Sequence, residues 1–253
     1  MKRDVLVNYL DSYLKLEDFP KDFSNNGLQL EGKTEVTKAV FGVDCCLELF
    51  KAAAAAGADF VFVHHGLSWG AEPRRFTGMV AERMSTLFNA GISLYAAHLP
   101  LDAHPEAGNN AQLADMIGLK DRVPFFKYND CNIGFAGTLK DPAPVEGIAE
   151  YLGKKLNVDP LIYGDGSVKA AKIAVVSGCG GSGALQEAAA AGCDLLVTGE
   201  FEHVMYHPRK ELGVNVIALG HYASETVGPF ALMQQVQKEF GLPVEFIDVP
   251  TGL

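Results

Sequence analysis

Short apolar runs alternate with longer segments of helical spacing along this chain, a pattern that predicts a mixed or parallel α/β fold. Residues 38–43 (Lys-Ala-Val-Phe-Gly-Val) read as a strand. An Ala-rich helix through Ala56 follows, with Asp44 as its N-cap and Gly57 as its stop. A second strand, Phe60 to Val63, runs straight into His64-His65-Gly66. Next come a helix over about 76–90, a strand over 92–97 and a loop beginning at His98. Residues 122–170 are less regular. Pro142, Pro144 and Pro160 interrupt them, and the pattern predicts one helix (145–156) with short strands. Another strand-helix-strand run starts at 172–177, and a helix after Ser224 and a strand over 244–248 close the chain.

Set side by side, these elements resemble each other. Ala56–His65 matches Ala191–Glu200, each a helix end, a Gly-x-Asp turn and a buried strand ending in polar residues. Gly91–His98 matches Gly213–His221, and after each strand a histidine precedes a carboxylate by four residues: His98 with Asp102, His221 with Glu225. The expectation is two similar interlocked α/β halves, 1–122 and 123–225, with residues 226–253 packing on the first. One site would lie between them and draw ligands from both.

Composition narrows the class. The 253 residues, 48% hydrophobic and 21% charged, are those of an ordinary globular chain able to bury a large core. No apolar run reaches the ~20 residues of a membrane helix. Asp4, Asn8 and Asp11 break what would be a signal segment, so a cytoplasmic location is expected. A net charge of −10 repels phosphate backbones and argues against general nucleic-acid binding. Five cysteines without C-x-x-C spacing exclude a disulfide framework and a thiolate zinc site. Cys45, Cys46 and Cys193 read as small core residues.

The histidines carry the chemistry. His64, His65, His98, His104 and His221 fall at or just beyond strand ends, where open α/β sheets bind ligands. Imidazole and carboxylate without thiolate suit Zn²⁺, Fe, Mn²⁺ or Co²⁺, and a carboxylate can bridge two ions. Each residue also has a structural use: Asp102 can bond its own loop, and Glu225 can complement a helix N-terminus. His104 reads as local, and His203 and His207 as part of a surface segment around Pro208. Gly178-Cys179-Gly180-Gly181-Ser182-Gly183 matches G-x-G-x-x-G, but the acidic partner expected further on is at best Glu200. That loop reads either as a plain strand-helix turn or as an amide cradle for an anion; no nucleotide cofactor is expected.

Over essentially its whole length the chain resembles the Nif-three-like family, also labelled GTP cyclohydrolase I type 2, in its short bacterial form. The resemblance rests on Ser24-Asn25-Asn26-Gly27-Leu28-Gln29-Leu30-Glu31-Gly32, Val63-His64-His65-Gly66 and His98-Leu99-Pro100-Leu101-Asp102-Ala103-His104-Pro105. It continues in Gly108-Asn109-Asn110, Ser177–Gly181, Thr198-Gly199-Glu200 and Gly220-His221-Tyr222-Ala223-Ser224-Glu225. It implies a dinuclear centre of divalent ions, with His65 and Asp102 on one, His64 and His221 on the other, and Glu225 bridging. It implies His98 close by as outer-shell residue or proton carrier, and a toroidal homohexamer with its sites facing an internal cavity. The inserted middle domain of longer members is missing, since about 70 residues separate Asp102 from the glycine loop.

Two functions fit this resemblance. One is a metal-dependent hydrolase acting on a purine nucleotide or similar heterocycle, with His98 carrying the proton and Gly180–Gly183 or Arg74 and Arg75 receiving phosphate. The other is a non-catalytic, metal-stabilised hexameric regulator or interaction scaffold.

Overall fold

A computed structural model of the chain describes residues 1–253. In chain order the first elements are α1 (Arg3–Leu14), β1 (Gly27–Leu30), β2 (Ala39–Asp44), α2 (Leu47–Ala55), β3 (Phe60–His65), α3 (Gly78–Ala90), β4 (Ser93–Ala96) and α4 (Leu99–Ala103). Then come α5 (Asn109–Met116), β5 (Lys120–Tyr128), β6 (Cys131–Pro144), α6 (Val145–Leu156), β7 (Leu161–Tyr163), β8 (Lys169–Val176), α7 (Gly181–Ala190) and β9 (Leu195–Thr198). The last are α8 (Tyr206–Leu212), β10 (Asn215–Ala218), α9 (His221–Ser224), α10 (Val227–Phe240) and β11 (Val244–Phe246). This is the α/β class that the alternating runs predict. No helix is long and apolar enough to cross a membrane.

The chain divides into two compact units, one of Met1–Leu101 with Gly228–Val249 and one of Asp102–Val227 with Pro250–Leu253. In the first, the sheet order is β1-β4-β3-β2-β11. The neighbours β4, β3, β2 and β11 run parallel, and β1 runs antiparallel to β4. Period-two alternation decides what each face buries. Phe60 and Phe62 join Phe41 and Tyr95 against Leu6, Leu10 and Leu14 of α1 and Leu232 and Val236 of α10. Val61 and Val63 point the other way, onto Leu49, Phe50 and Ala53 of α2 and Leu87 of α3. Both faces are covered, so β3 is apolar throughout until its terminal histidines. Each buried Phe contributes roughly 2–3 kcal/mol.

In the second unit the order is β5-β6-β8-β9-β10-β7. Strands β8, β9 and β10 are parallel, β7 is antiparallel to β10, and β5 and β6 extend the sheet as an antiparallel hairpin. Ile173, Val175, Leu195, Val197 and Ile217 pack with α5 and α6 through Leu113, Ala114, Val145, Ile148 and Leu152. Because α5 belongs to this core, the units divide at Leu101/Asp102 rather than near residue 122.

Two local expectations are corrected. Asp44 is the last residue of β2, paired with His65, and the cap of α2 is Cys46, whose Sγ accepts from the Leu49 amide at 3.4 Å. Residues 120–144 form one long hairpin rather than short strands. Pro124 lies on the edge strand β5, Pro142 falls in the irregularity between Thr138 and Ala143, and Pro144 is the last residue of β6.

Candidate metal centre

The first unit gathers three histidines at the carboxyl ends of β3 and β4. Ligand-type atoms of His64, His65 and His98 lie within 4.8 Å of one another. Ring centroids are 4.5 Å apart for His64–His65 and 5.1 Å for His64–His98. Adjacent residues on a strand normally face opposite ways, but at the end of β3 the two rings turn together. Each imidazole has its Nδ1 on an oxygen: His64 on the Ala97 carbonyl (2.9 Å), His65 on Asp44 (2.8 Å) and His98 on Asp22 (2.9 Å). An Nδ1–H donated this way places the lone pair on Nε2 and fixes the ring plane, as outer-shell partners do for metal-binding histidines.

Asp22 does more than hold one ring. Its carboxylate also accepts from the amides of Ser24 (3.1 Å) and Leu99 (3.0 Å) and from Asn26 Nδ2 (2.8 Å). Burial alone would push it up, but the hydrogen bonds and charge of His98, with Asn26 and Ser24, outweigh burial and hold it below the usual carboxylate range.

The second unit contributes acids. Asp102, on α4, and Glu225, just after α9, are both buried, and their carboxylate oxygens lie within 4.8 Å of each other. Asp102 Oδ1 accepts from Asn109 Nδ2 (2.9 Å) and Ser177 Oγ (3.2 Å). Asn110 ties the same corner together, taking the Ser177 amide at 2.6 Å and donating to the Ile133 carbonyl at 2.8 Å. His221 stands between two carboxylates, with Nδ1 on Glu200 (2.6 Å) and Nε2 3.3 Å from Glu225. The Glu225 carboxylate pushes its imidazole up to about 9 against the opposing effect of burial, and Glu200 adds to the rise.

The glycine loop makes room for a buried carboxylate at its first residue. Gly178 has φ +58, and a β-carbon there would collide with the Glu225 carboxylate. Its amide donates to Ser224 Oγ (2.9 Å), and its carbonyl accepts from Glu200 N (2.8 Å). Burial, followed by the negative charges of Glu202 and Glu200, pushes the Cys179 thiol up to about 11. The loop is flanked by those carboxylates and, at Gly178, serves as a wall for Glu225. Arg74 precedes α3 in an exposed bend, its guanidinium on Glu72 at 3.1 Å. His104 is local, as expected, its Nδ1 accepting from the Glu106 and Ala107 amides, and His203 and His207 are exposed.

The donor set fits divalent cations. Two buried carboxylates close together are costly without positive charge, and imidazoles with fixed tautomers are ready ligands. Cys45, pushed up to about 12 by burial, remains a thiol and offers no competing thiolate. Sequence reasoning missed Asp22 and Asp44 as imidazole partners and did not assign that use to Glu200. The signal it had was position: Asp22 just before Ser24–Gly32, Asp44 at the end of a strand and Glu200 within Thr198-Gly199-Glu200.

Comparison with known proteins places the whole chain in one family. The family model described as Duf34/NIF3 (NGG1p interacting factor 3) matches residues 1–252. A relative in Pyrococcus abyssi named GTP cyclohydrolase 1 type 2 homolog is 45% identical over 254 residues, covering 100% of both chains. The crystal structure of TTHA1606 from Thermus thermophilus superposes with a TM-score of 0.90 at 44% identity, covering 100% of both chains. The protein ybgI, described as of unknown function, gives 0.91 at 36% identity, again over 100% of both.

Proposed function

The chain belongs to the Duf34/NIF3 family, in its short form, and from that premise we propose that it is a dinuclear metal-dependent hydrolase of a small heteroaromatic molecule such as a purine nucleotide. The observation that carries the reading is the locking of imidazole Nδ1 atoms onto oxygens in both units, by Ala97 and Asp44 in one and Glu200 in the other. In this reading His64, His65, Asp102, His221 and Glu225 would hold the two ions. Such ions, when bound, supply Lewis acidity and lower the pKa of water.

The chain's own residues do the rest. Asp44, Glu200 and the Ala97 carbonyl orient ligands, while Asn109 and Ser177 hold Asp102. His98, with Nδ1 on Asp22, offers Nε2 as the proton carrier for hydrolytic opening at ring carbon 8. The resemblance to toroidal homohexamers extends the proposal to six chains with their sites facing an inner cavity.

The test is metal analysis of purified protein with a GTP ring-opening assay on wild type, Glu225→Ala and His98→Gln. About two ions per chain, turnover lost in both variants, and a hexamer kept in His98→Gln support the reading. Two ions with no turnover in wild type favour the regulator or scaffold. No bound metal on a folded chain overturns the core of the proposal.

A further inference from the structure

The motif Ser24–Gly32 contributes none of the proposed ligands, yet two of its polar side chains, Asn25 and Gln29, are spent on one object, the loop after His65. Gln29 Oε1 accepts from the amides of Leu67 (2.7 Å) and Ser68 (3.1 Å), and its Nε2 donates to the Asn25 carbonyl (2.8 Å). Asn25 Nδ2 donates to Ser68 Oγ (2.7 Å) and the Gly70 carbonyl (3.0 Å). Gly66 admits this clamp, since a β-carbon there would stand 2.5 Å from the Gln29 amide. The clamped loop carries Trp69, the chain's one tryptophan. Its backbone exchanges hydrogen bonds with Glu72, and its indole N–H donates to the Gly66 carbonyl at 2.8 Å. The ring lies 5.0 Å from His98 at 70° and 6.1 Å from His65.

Trp69 is only half buried. A tryptophan that merely filled the core would be enclosed, and one reaching for solvent would offer its N–H to water. Here the N–H is satisfied internally, and a network of side chains fixes a large apolar ring beside the histidines. A rigid, partly uncovered aromatic ring binds planar partners at low entropic cost. We infer that Trp69 is the stacking platform of the centre, and that the Asn25–Gln29 segment holds it so that a planar heteroaromatic ring lies against the indole next to His98. This rests on the reading above that the centre handles a small heteroaromatic molecule, and it assigns recognition of the ring, rather than of its phosphates, to Trp69.

The sole tryptophan makes the idea directly measurable. With the metal-loaded protein, GTP and guanosine are expected to quench Trp69 emission saturably, and inorganic triphosphate to leave it unchanged. By equilibrium dialysis, Trp69→Leu weakens GTP binding about tenfold at unchanged metal content, and Trp69→Phe, which keeps a ring, stays within about threefold of wild type. No quenching by either nucleoside probe overturns the inference, as does a Trp69→Leu protein that binds GTP as tightly as wild type. Equal losses in Trp69→Leu and Trp69→Phe overturn it too. Should Trp69→Leu fail to fold, the wild-type quenching and Trp69→Phe still decide. The reading of the metal centre fails separately, by metal analysis, whatever the fluorescence shows.

Discussion

The run β2–β3–β4 in the first unit and the run β8–β9–β10 in the second share strand order and direction, each with an antiparallel strand, β1 or β7, beside its last member; on the other side the first has the parallel β11 and the second the antiparallel β6. The likeness extends to single hydrogen bonds. Asp59 accepts on Oδ2 from the Thr37 amide (2.9 Å) and its own amide donates to the Lys38 carbonyl (3.0 Å). Asp194 accepts from the Ala171 and Lys172 amides (2.8 and 2.9 Å) and its amide donates to the Lys172 carbonyl (2.8 Å). Lys38 Nζ reaches the Ala56 carbonyl, and Lys172 Nζ the Ala191 carbonyl. In both units the Gly-x-Asp turn therefore pins a helix end to the start of a strand.

The strand ends differ. Where β3 finishes in His64-His65, the segment after β9 has Gly199-Glu200, so one scaffold offers imidazoles and the other acids. Packing explains the first exchange. A β-carbon at Gly199 would stand 2.7 Å from Ser224 Oγ and 2.9 Å from His221 Cα, leaving no room for a counterpart of His64. The second exchange converts a proposed ligand, His65, into the support of one, with Glu200 holding His221. Matched frames thus carry unlike chemistry, because loops at strand ends vary without disturbing the sheet.

The largest effect that would break this comparison is at Gly199. Gly199→Ala should cost about 3 kcal/mol or more by overpacking the turn that carries His221, read as a drop in the urea midpoint at constant slope. An unchanged midpoint would remove the packing account of why the two units differ. Next come Asp59→Ala and Asp194→Ala, each expected to cost about 2–3 kcal/mol because each strands amides at a strand start. Costs differing by more than about 2 kcal/mol would show that the turns are not equivalent. Asp44→Ala and Glu200→Ala are smaller, weakening metal binding about 10- to 100-fold by competition with a chelator at nearly unchanged stability. A loss for one alone would restrict the supporting role to that unit.

The smallest effect is in acid. Burial would raise Asp59, but Thr37 and Lys33 outweigh it and hold the carboxyl below its usual range. The unfolded chain then binds more protons, so this contribution is present above an ordinary Asp pKa of about 4 and is lost as pH falls through the folded value. Asp59→Asn should therefore show a shallower fall in stability between pH 5 and 3 than wild type, by roughly one protonation. Identical slopes would contradict it.

The sequence alone determined the α/β alternation, the helix over Val145–Leu156, and the placing of histidines and carboxylates at strand ends. These follow from local periodicity and residue chemistry, which neighbouring positions encode. It misread Asp44 as a cap and the prolines of the hairpin as breakers, since either choice depends on which strand lies alongside. Only the tertiary structure decided which acid holds which imidazole. Asp22 meets His98 across 76 residues and Asp44 meets His65 across 21. It also decided that Gly178 and Gly199 give way to His221 and Glu225. Such pairings are set by how sheets and helices pack, and no periodicity within a single strand or helix carries that information.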